Sequence, residues 1–120
     1  MRPFFVFSGQ GAQAVGMGRD LYEASPAARA IFNDADAVLG YKISAICFEG
    51  PAEKLTESRY CQPAIYTMSS AALAAFREKF PDVKPVACAG LSLGEYGALY
   101  AAGAMDFAVG LEILAQRAQF

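Results

Sequence analysis

The segment "GLSLG" (90–94) constrains this chain most, because it sets a serine between two glycines at a change of pattern. The run "KPVACAG" (84–90) is typical of a buried strand, and Ser92–Ala102 is typical of a helix. A reversal this sharp brings the positions two before and two after the serine together, which favours glycine at both. The pattern predicts a nucleophile elbow with the Ser92 hydroxyl at a helix N-terminus. A serine that merely caps the helix is the alternative.

A second apolar run, "PFFVF" (3–7), also predicts a buried strand and leads into the glycine loop "GQGAQAVGMG" (9–18). Within that loop, Gly9–Ala14 matches the dinucleotide fingerprint G-x-G-x-x-G/A. Asp34 and Asp36 lie near the expected distance for a ribose-binding acid. That acid should end a second strand, however, and both aspartates lie inside a helical pattern. A dinucleotide-binding module is therefore the less favoured interpretation.

The other interpretation of the glycine loop is an oxyanion loop. A nucleophile elbow needs two backbone N–H groups that face the developing negative charge. Leu93, directly after the serine, can supply one of them. Gln10 can supply the other if the strand 3–7 lies beside the strand 84–90. The glycines around Gln10 would let backbone and substrate approach closely.

The order of elements predicts an α/β protein with parallel strands covered by helices. Residues 42–50 fit either a helix or a strand, whereas the other segments have clear helical patterns and caps. The expected helices are Arg19–Ala24, Pro26 to a stop at Gly40, a short helix within 50–58, Gln62–Phe80, Ser92–Ala102, and a last one capped by Asp106. Two strands are too few for a stable sheet. We therefore expect the chain to be the N-terminal part of a larger fold.

Composition excludes several classes of function. Hydrophobic residues make up 55% of the chain and charged residues 18%, against about 45–50% and about 25% in ordinary domains, so apolar surface should remain exposed. A net charge of −2 gives no attraction to nucleic acid or to an anionic membrane. No segment is typical of a membrane span or a signal peptide. Three cysteines, at positions 47, 61 and 88, have no metal-like spacing and fit reduced thiols in the cytoplasm.

Four runs resemble one family in order and spacing, and they cover nearly the whole chain: "FVFSGQGAQAVGMG", "GPAEKLTES…CQPAIYTMS", "AGLSLGEYGALYAAGAMDF" and "ILAQRAQF". The chain resembles bacterial malonyl-CoA:acyl carrier protein transacylases and the acyltransferase domains of fatty acid and polyketide synthases. The resemblance implies an α/β-hydrolase-like acyltransferase core. Residues 1–120 would be the N-terminal part of that single domain, without its ferredoxin-like subdomain and C-terminal part.

The resemblance also implies an activity and its residues. The reaction is transfer of malonyl from coenzyme A to the phosphopantetheine thiol of acyl carrier protein in fatty acid biosynthesis, with no metal or redox cofactor. Ser92 matches the nucleophile that carries the malonyl ester. Gln10 and Leu93 match the two backbone oxyanion donors. Gln62 matches an active-site glutamine, and Arg117 matches the arginine that pairs with the free carboxylate of malonate.

The chain departs from the family pattern at three points. Leu91 stands where many relatives carry His, and Ser8 stands where many carry Pro. The catalytic histidine of the family lies well downstream, and this sequence contains no histidine. We therefore expect these residues alone to be weakly active or inactive, although the start at Met1 favours a stand-alone enzyme over a synthase domain. The alternative is a non-catalytic partner that contributes half a site to a second chain.

Overall fold

The computed structural model describes residues 3–118, which form two strands and seven helices. In chain order they are β1 (Phe4–Phe7), α1 (Arg19–Ala24), α2 (Pro26–Leu39), α3 (Ile43–Glu49), α4 (Ala52–Thr56), α5 (Ser58–Lys79), β2 (Ala87–Gly90), α6 (Gly94–Ala101) and α7 (Phe107–Arg117). The α/β class predicted from the sequence is confirmed. The end of the predicted last helix, residues 119–120, lies outside the described part of the chain.

The two strands pair in parallel, with Phe4 opposite Ala87 and Phe7 opposite Gly90. The sequence predicted parallel strands, left open whether these two are neighbours, and placed the start of the second strand at residue 84. Strand β2 begins only at Ala87, because Pro85 has no N–H group to donate to a ladder. Both strands therefore end at the same edge of the sheet, and the loops that follow them start side by side.

Local signals define most of the helix ends. The Ser25 hydroxyl accepts a hydrogen bond from the backbone N–H of Ala28, and the Asp106 carboxylate accepts one from Val109. Gly40 ends α2 in the left-handed conformation, with φ 78°. These three predicted helix boundaries are confirmed, and the ambiguous segment 42–50 is largely helix α3.

The long helix begins four residues earlier than predicted, at Ser58 rather than Gln62. Pro63 consequently lies inside α5, where it removes one helical hydrogen bond. The side chains around it offset that loss, because residues 63–67 are all buried. Burial of this mostly apolar stretch outweighs the local preference of proline for a helix start.

Helix α5 is the centre of the main core. Phe32 of α2 and Leu111 and Leu114 of α7 are fully buried around it. The ring of Tyr66 stacks on Phe107 at 5.1 Å between centroids, and its hydroxyl donates a hydrogen bond of 3.0 Å to the Phe107 carbonyl. Burial raises the pKa of Tyr66 above its usual value. The contact holds the start of α7 firmly on α5.

The sheet buries one face and exposes the other. Phe7 is buried with Leu73 of α5 and Ala98 of α6, and Phe5 packs against the same cluster. Phe4 and Val6, which point the opposite way, are 70% and 77% exposed. The expectation of exposed apolar surface is confirmed, and the outer face of the sheet contributes part of it.

Glycines allow the close approach of β1, β2 and α6. A Cβ atom on Gly90 would overlap the backbone carbonyl oxygen of Gly94, and one on Gly94 would overlap the carbonyl oxygen of Phe7. At Gly97 an added Cβ would lie 2.7 Å from the ring of Phe7. The small residues Gly94 and Gly97 of α6 therefore pack directly on the end of β1.

The glycine contact gives a first prediction. Gly90→Ala should destabilise the fold by about 3 kcal/mol, at the top of the usual overpacking range, because the atom it meets is backbone and cannot rotate away. Gly103→Ala is the control, since its φ of 79° is strained but nothing lies within 4 Å of the added atom; it should cost about 1 kcal/mol. Urea unfolding followed by circular dichroism measures both, and equal losses would contradict the assignment.

Candidate active site

Ser92 occupies a strained backbone position in the turn between β2 and α6. Its φ is 54°, and no other non-glycine residue between positions 3 and 118 has a positive φ. Such a conformation costs about 1–3 kcal/mol and persists only where the surroundings enforce it. Here the enforcing contacts are those of Gly90 and Gly94. The sharp turn predicted from the sequence is confirmed, although the helix begins at Gly94 and not at Ser92.

The Ser92 side chain is exposed. Within residues 3–118 its hydroxyl caps no N–H group of α6; instead it accepts a hydrogen bond from the Arg117 side chain. The structure therefore does not display the capping role that was the alternative for this serine. An accessible hydroxyl on a strained turn is the arrangement of a serine nucleophile.

The glycine loop lies against the elbow, as the parallel pairing requires. An added Cβ on Gly9 would be 3.1 Å from the carbonyl oxygen of Leu91. Among the described residues, the backbone N–H groups of Gln10 and Leu93 have no hydrogen-bond acceptor. The Leu93 side chain is buried in the main core, which fixes its backbone. Free N–H groups of this kind are what an oxyanion site needs.

The first turns of α5 support the glycine loop. The Gln10 side chain donates to the hydroxyl of Ser58 at 3.2 Å. Burial raises the pKa of the Cys61 thiol, and a hydrogen bond from the backbone of Gly11 opposes that rise. Sequence reasoning missed Ser58; a polar residue one helical turn before Gln62 was the available signal. The loop is thus attached to the helix that carries another predicted site residue.

Gln62 lies beside this attachment but contacts none of the other predicted site residues in the described hydrogen bonds. Its side-chain oxygen Oε1 is buried and has no partner within residues 3–118. A buried acceptor without a donor is uncommon in folded proteins and calls for an explanation. A ligand or a neighbouring segment that donates to it would provide one.

Arg117 lies at the C-terminal end of α7 and reaches the elbow. Its Nη2 atom donates a hydrogen bond of 2.7 Å to Ser92 Oγ. Its guanidinium carbon also lies 5.5 Å from the centre of the Tyr96 ring, a contact that sequence reasoning missed. Two predicted residues 25 positions apart therefore meet in space. The combination of an exposed hydroxyl, unpaired N–H groups and a guanidinium suits acyl groups that carry a negative charge.

The geometry does not favour a dinucleotide site at Gly9–Ala14. No helix follows that motif directly, since α1 begins at Arg19. Asp34 and Asp36 both lie within α2. The Asp36 carboxylate accepts hydrogen bonds from the backbone N–H and hydroxyl of Ser44, so it ties α2 to α3.

The remaining sequence expectations concern the cysteines, metal ligands and membrane-spanning segments. Cys47 and Cys61 are buried and Cys88 is half-buried, and all three are free thiols. Burial raises the pKa of Cys47 to about 12, so that thiol stays neutral near pH 7. No group of three or more potential metal ligands occurs between residues 3 and 118. In that same range no helix combines the length and apolarity needed to cross a membrane.

Comparison with known proteins places this geometry in a family. The family model described as "Acyl transferase domain" matches residues 4–120. A malonyl CoA-acyl carrier protein transacylase of Bacillus subtilis is 47% identical over 116 residues, which are 97% of this chain and 36% of the relative. A mitochondrial relative of the same name from Mus musculus is 44% identical over 120 residues, with 95% of this chain and 30% of the relative covered.

Solved structures agree with the sequence relatives. The malonyl CoA-acyl carrier protein transacylase of Clostridium perfringens superposes with a TM-score of 0.91 at 36% identity, covering 99% of this chain and 37% of that one. A malonyl-transacylase in complex with its type II acyl-carrier protein gives the same TM-score and identity. This chain spans about a third of the length of these relatives. Because the family model runs from the first strand to residue 120 and the fold agrees, the chain belongs to the acyl transferase domain family.

Proposed function

We propose that residues 1–120 form the N-terminal part of a single acyltransferase domain that moves a malonyl group from coenzyme A to acyl carrier protein. The observation that carries the proposal is the hydrogen bond of 2.7 Å between Arg117 Nη2 and Ser92 Oγ. It places a carboxylate-binding group directly beside a candidate nucleophile. The relatives that are named malonyl CoA-acyl carrier protein transacylases support the choice of donor and acceptor.

The first half-reaction loads the serine. Ser92 Oγ attacks the thioester carbonyl carbon while its proton passes to a base, and the carbonyl oxygen becomes an oxyanion. The N–H groups of Gln10 and Leu93 donate to that oxyanion. The C–S bond then breaks, and the coenzyme A thiolate takes the proton back from the base. The products are free coenzyme A and a malonyl ester on Ser92.

In the second half-reaction, the malonyl group leaves Ser92 and is transferred to acyl carrier protein. The phosphopantetheine thiol of acyl carrier protein gives its proton to the base and attacks the ester carbonyl carbon. The bond between that carbon and Ser92 Oγ breaks, and the serine oxygen recovers the proton. No electrons are exchanged, so no redox cofactor enters either step.

The base lies outside these 120 residues in this proposal. The sequence contains no histidine, and histidine is the usual base for a serine near neutral pH. We propose a histidine in the part of the domain that this chain does not span. The exposed side chains of Phe4 and Val6 fit the same view, since an apolar sheet face of this kind is normally covered.

A cytoplasmic location is also part of the proposal.

Arg117 selects the acyl group. In the free protein its guanidinium donates to the Ser92 hydroxyl. Once the serine is acylated, the malonyl carboxylate lies only two carbon atoms from Oγ and offers a charged acceptor. A planar guanidinium can bind both oxygens of that carboxylate. An acetyl group has no carboxylate and gains nothing from this contact. Gln62, with its unpaired Oε1, would hold the same pocket.

Acylation of Ser92 can be tested with an external base. The chain should form its malonyl ester slowly from malonyl-CoA at pH 7, and added imidazole should accelerate the reaction at least about tenfold, because it can accept the serine proton. Intact-mass spectrometry measures the ester. Ser92→Ala is the matched control, since it removes the nucleophile but keeps the elbow backbone. Ester formation in that variant, or none in the parent chain, would refute the proposal.

Selectivity tests the role of Arg117. In a chimera that joins these residues to the remaining part of the Bacillus subtilis relative, Arg117→Ala should lower the ratio of malonyl to acetyl transfer about 10- to 100-fold, the value of one or two hydrogen bonds to a charged group. Arg77→Ala is the control, because Arg77 donates to the carbonyl of Ala101, at the opposite end of α6 from Ser92. Competition between the two thioesters measures the ratio. An unchanged ratio in Arg117→Ala would remove Arg117 from the site.

A further inference from the structure

We infer that Tyr96 is a positioning residue that holds the Arg117 guanidinium over the nucleophile and thereby sharpens acyl selectivity. The inference rests on the proposed function and adds a residue to it. The juxtaposition that carries it is a chain of three groups: the Tyr96 ring, the Arg117 guanidinium 5.5 Å from its centre, and Ser92 Oγ 2.7 Å from Arg117 Nη2.

Arg117 needs such a support because its own position is weakly fixed. It is the last residue of α7, and its side chain is exposed. A long arginine side chain in water loses considerable rotamer freedom when it is held in one place. Among the described residues, the contacts that restrain its guanidinium are the Ser92 hydroxyl and the Tyr96 ring.

Tyr96 is well placed to provide the support. It lies in the first turn of α6, four residues after Ser92, and the Arg117 guanidinium contacts both its ring and the Ser92 hydroxyl. Its backbone N–H donates to the carbonyl of Leu93 at 3.2 Å. Its ring is half-buried and packs against the main core, which limits its motion. The ring face attracts a cation through its quadrupole.

Unlike the hydrogen bond from Arg117 to Ser92, the contact between Arg117 and the Tyr96 ring is available both before and after acylation. Acylation converts the Ser92 hydroxyl into an ester oxygen, which is a weaker acceptor, and Arg117 then turns to the malonyl carboxylate. The attraction to the Tyr96 ring does not depend on the state of the serine. Tyr96 therefore holds the guanidinium near the same place before and after loading. The Arg117 side chain would therefore lose less conformational freedom when it binds the malonyl carboxylate.

The test compares Tyr96→Leu with Tyr96→Phe. Leucine keeps apolar packing but has no ring face, so the ratio of malonyl to acetyl ester at Ser92 should fall about three- to fivefold. Phenylalanine keeps the ring face and should retain the ratio. Ester formation is measured by intact mass with malonyl-CoA and acetyl-CoA in the presence of imidazole. Tyr22→Leu is a matched control, because Tyr22 forms a similar contact with Arg29, 5.6 Å from its ring centre, between α1 and α2.

A second readout does not depend on ester formation. The NMR resonance of the Arg117 Nε–H group should carry a ring-current shift that Tyr96→Leu removes and Tyr96→Phe preserves. Thermal unfolding of each variant identifies a general loss of structure, which would lower both ester rates alike and leave their ratio unchanged.

The outcomes separate the two claims. A lower ratio in Tyr96→Leu alone, together with the lost shift, supports the inference. An unchanged ratio or an unchanged Arg117 resonance in Tyr96→Leu overturns it, while malonyl ester on Ser92 in the parent chain leaves the proposed function standing. Absence of any ester on Ser92 in the parent chain overturns both.

Discussion

The contact between α6 and the ends of the two strands is the constraint on which the rest of the structure depends. Gly94 lies against the carbonyl of Phe7, and Gly90 lies against the carbonyl of Gly94. Side chains at either position would push the helix away from the sheet. The close approach forces the backbone of Ser92 into a positive φ of 54° and leaves its hydroxyl exposed. The close packing of Gly90 and Gly94 thus maintains the backbone strain at the serine.

The other groups of the candidate site also lie at this edge of the sheet. Parallel pairing brings the glycine loop and the elbow out side by side, and α5 secures the loop through Ser58. Helix α7 approaches from another direction and delivers Arg117. Each group comes from a different element, so none of them alone would distinguish a catalytic site from ordinary packing. Their convergence brings together an exposed serine hydroxyl, backbone N–H groups without acceptors and a guanidinium, which suit the acyl transfer proposed for this chain.

The helical core is well packed, whereas the sheet leaves apolar side chains exposed. Helices α2, α5 and α7 form a dense core in which Phe32, Leu111 and Leu114 are fully buried. The sheet has only two strands, and Phe4 and Val6 expose most of their surface. Its relatives are almost three times as long. Apolar surface of this extent favours a protein in which further polypeptide covers the sheet, and the same polypeptide would carry the base that the sequence lacks.

The sequence by itself determined the α/β class, the parallel strands, the three capped helix boundaries and the glycine elbow, because each depends on short patterns of apolar, capping or backbone-permissive residues. The elbow pattern also suggested Ser92, Gln10 and Leu93, and resemblance to a family added Gln62 and Arg117. Only the tertiary structure decided that α5 starts at Ser58, since burial around Pro63 outweighs its local preference. The structure alone also revealed that Arg117 meets both Ser92 and Tyr96, because contacts between residues on separate helices depend on how those helices pack, which no local pattern encodes.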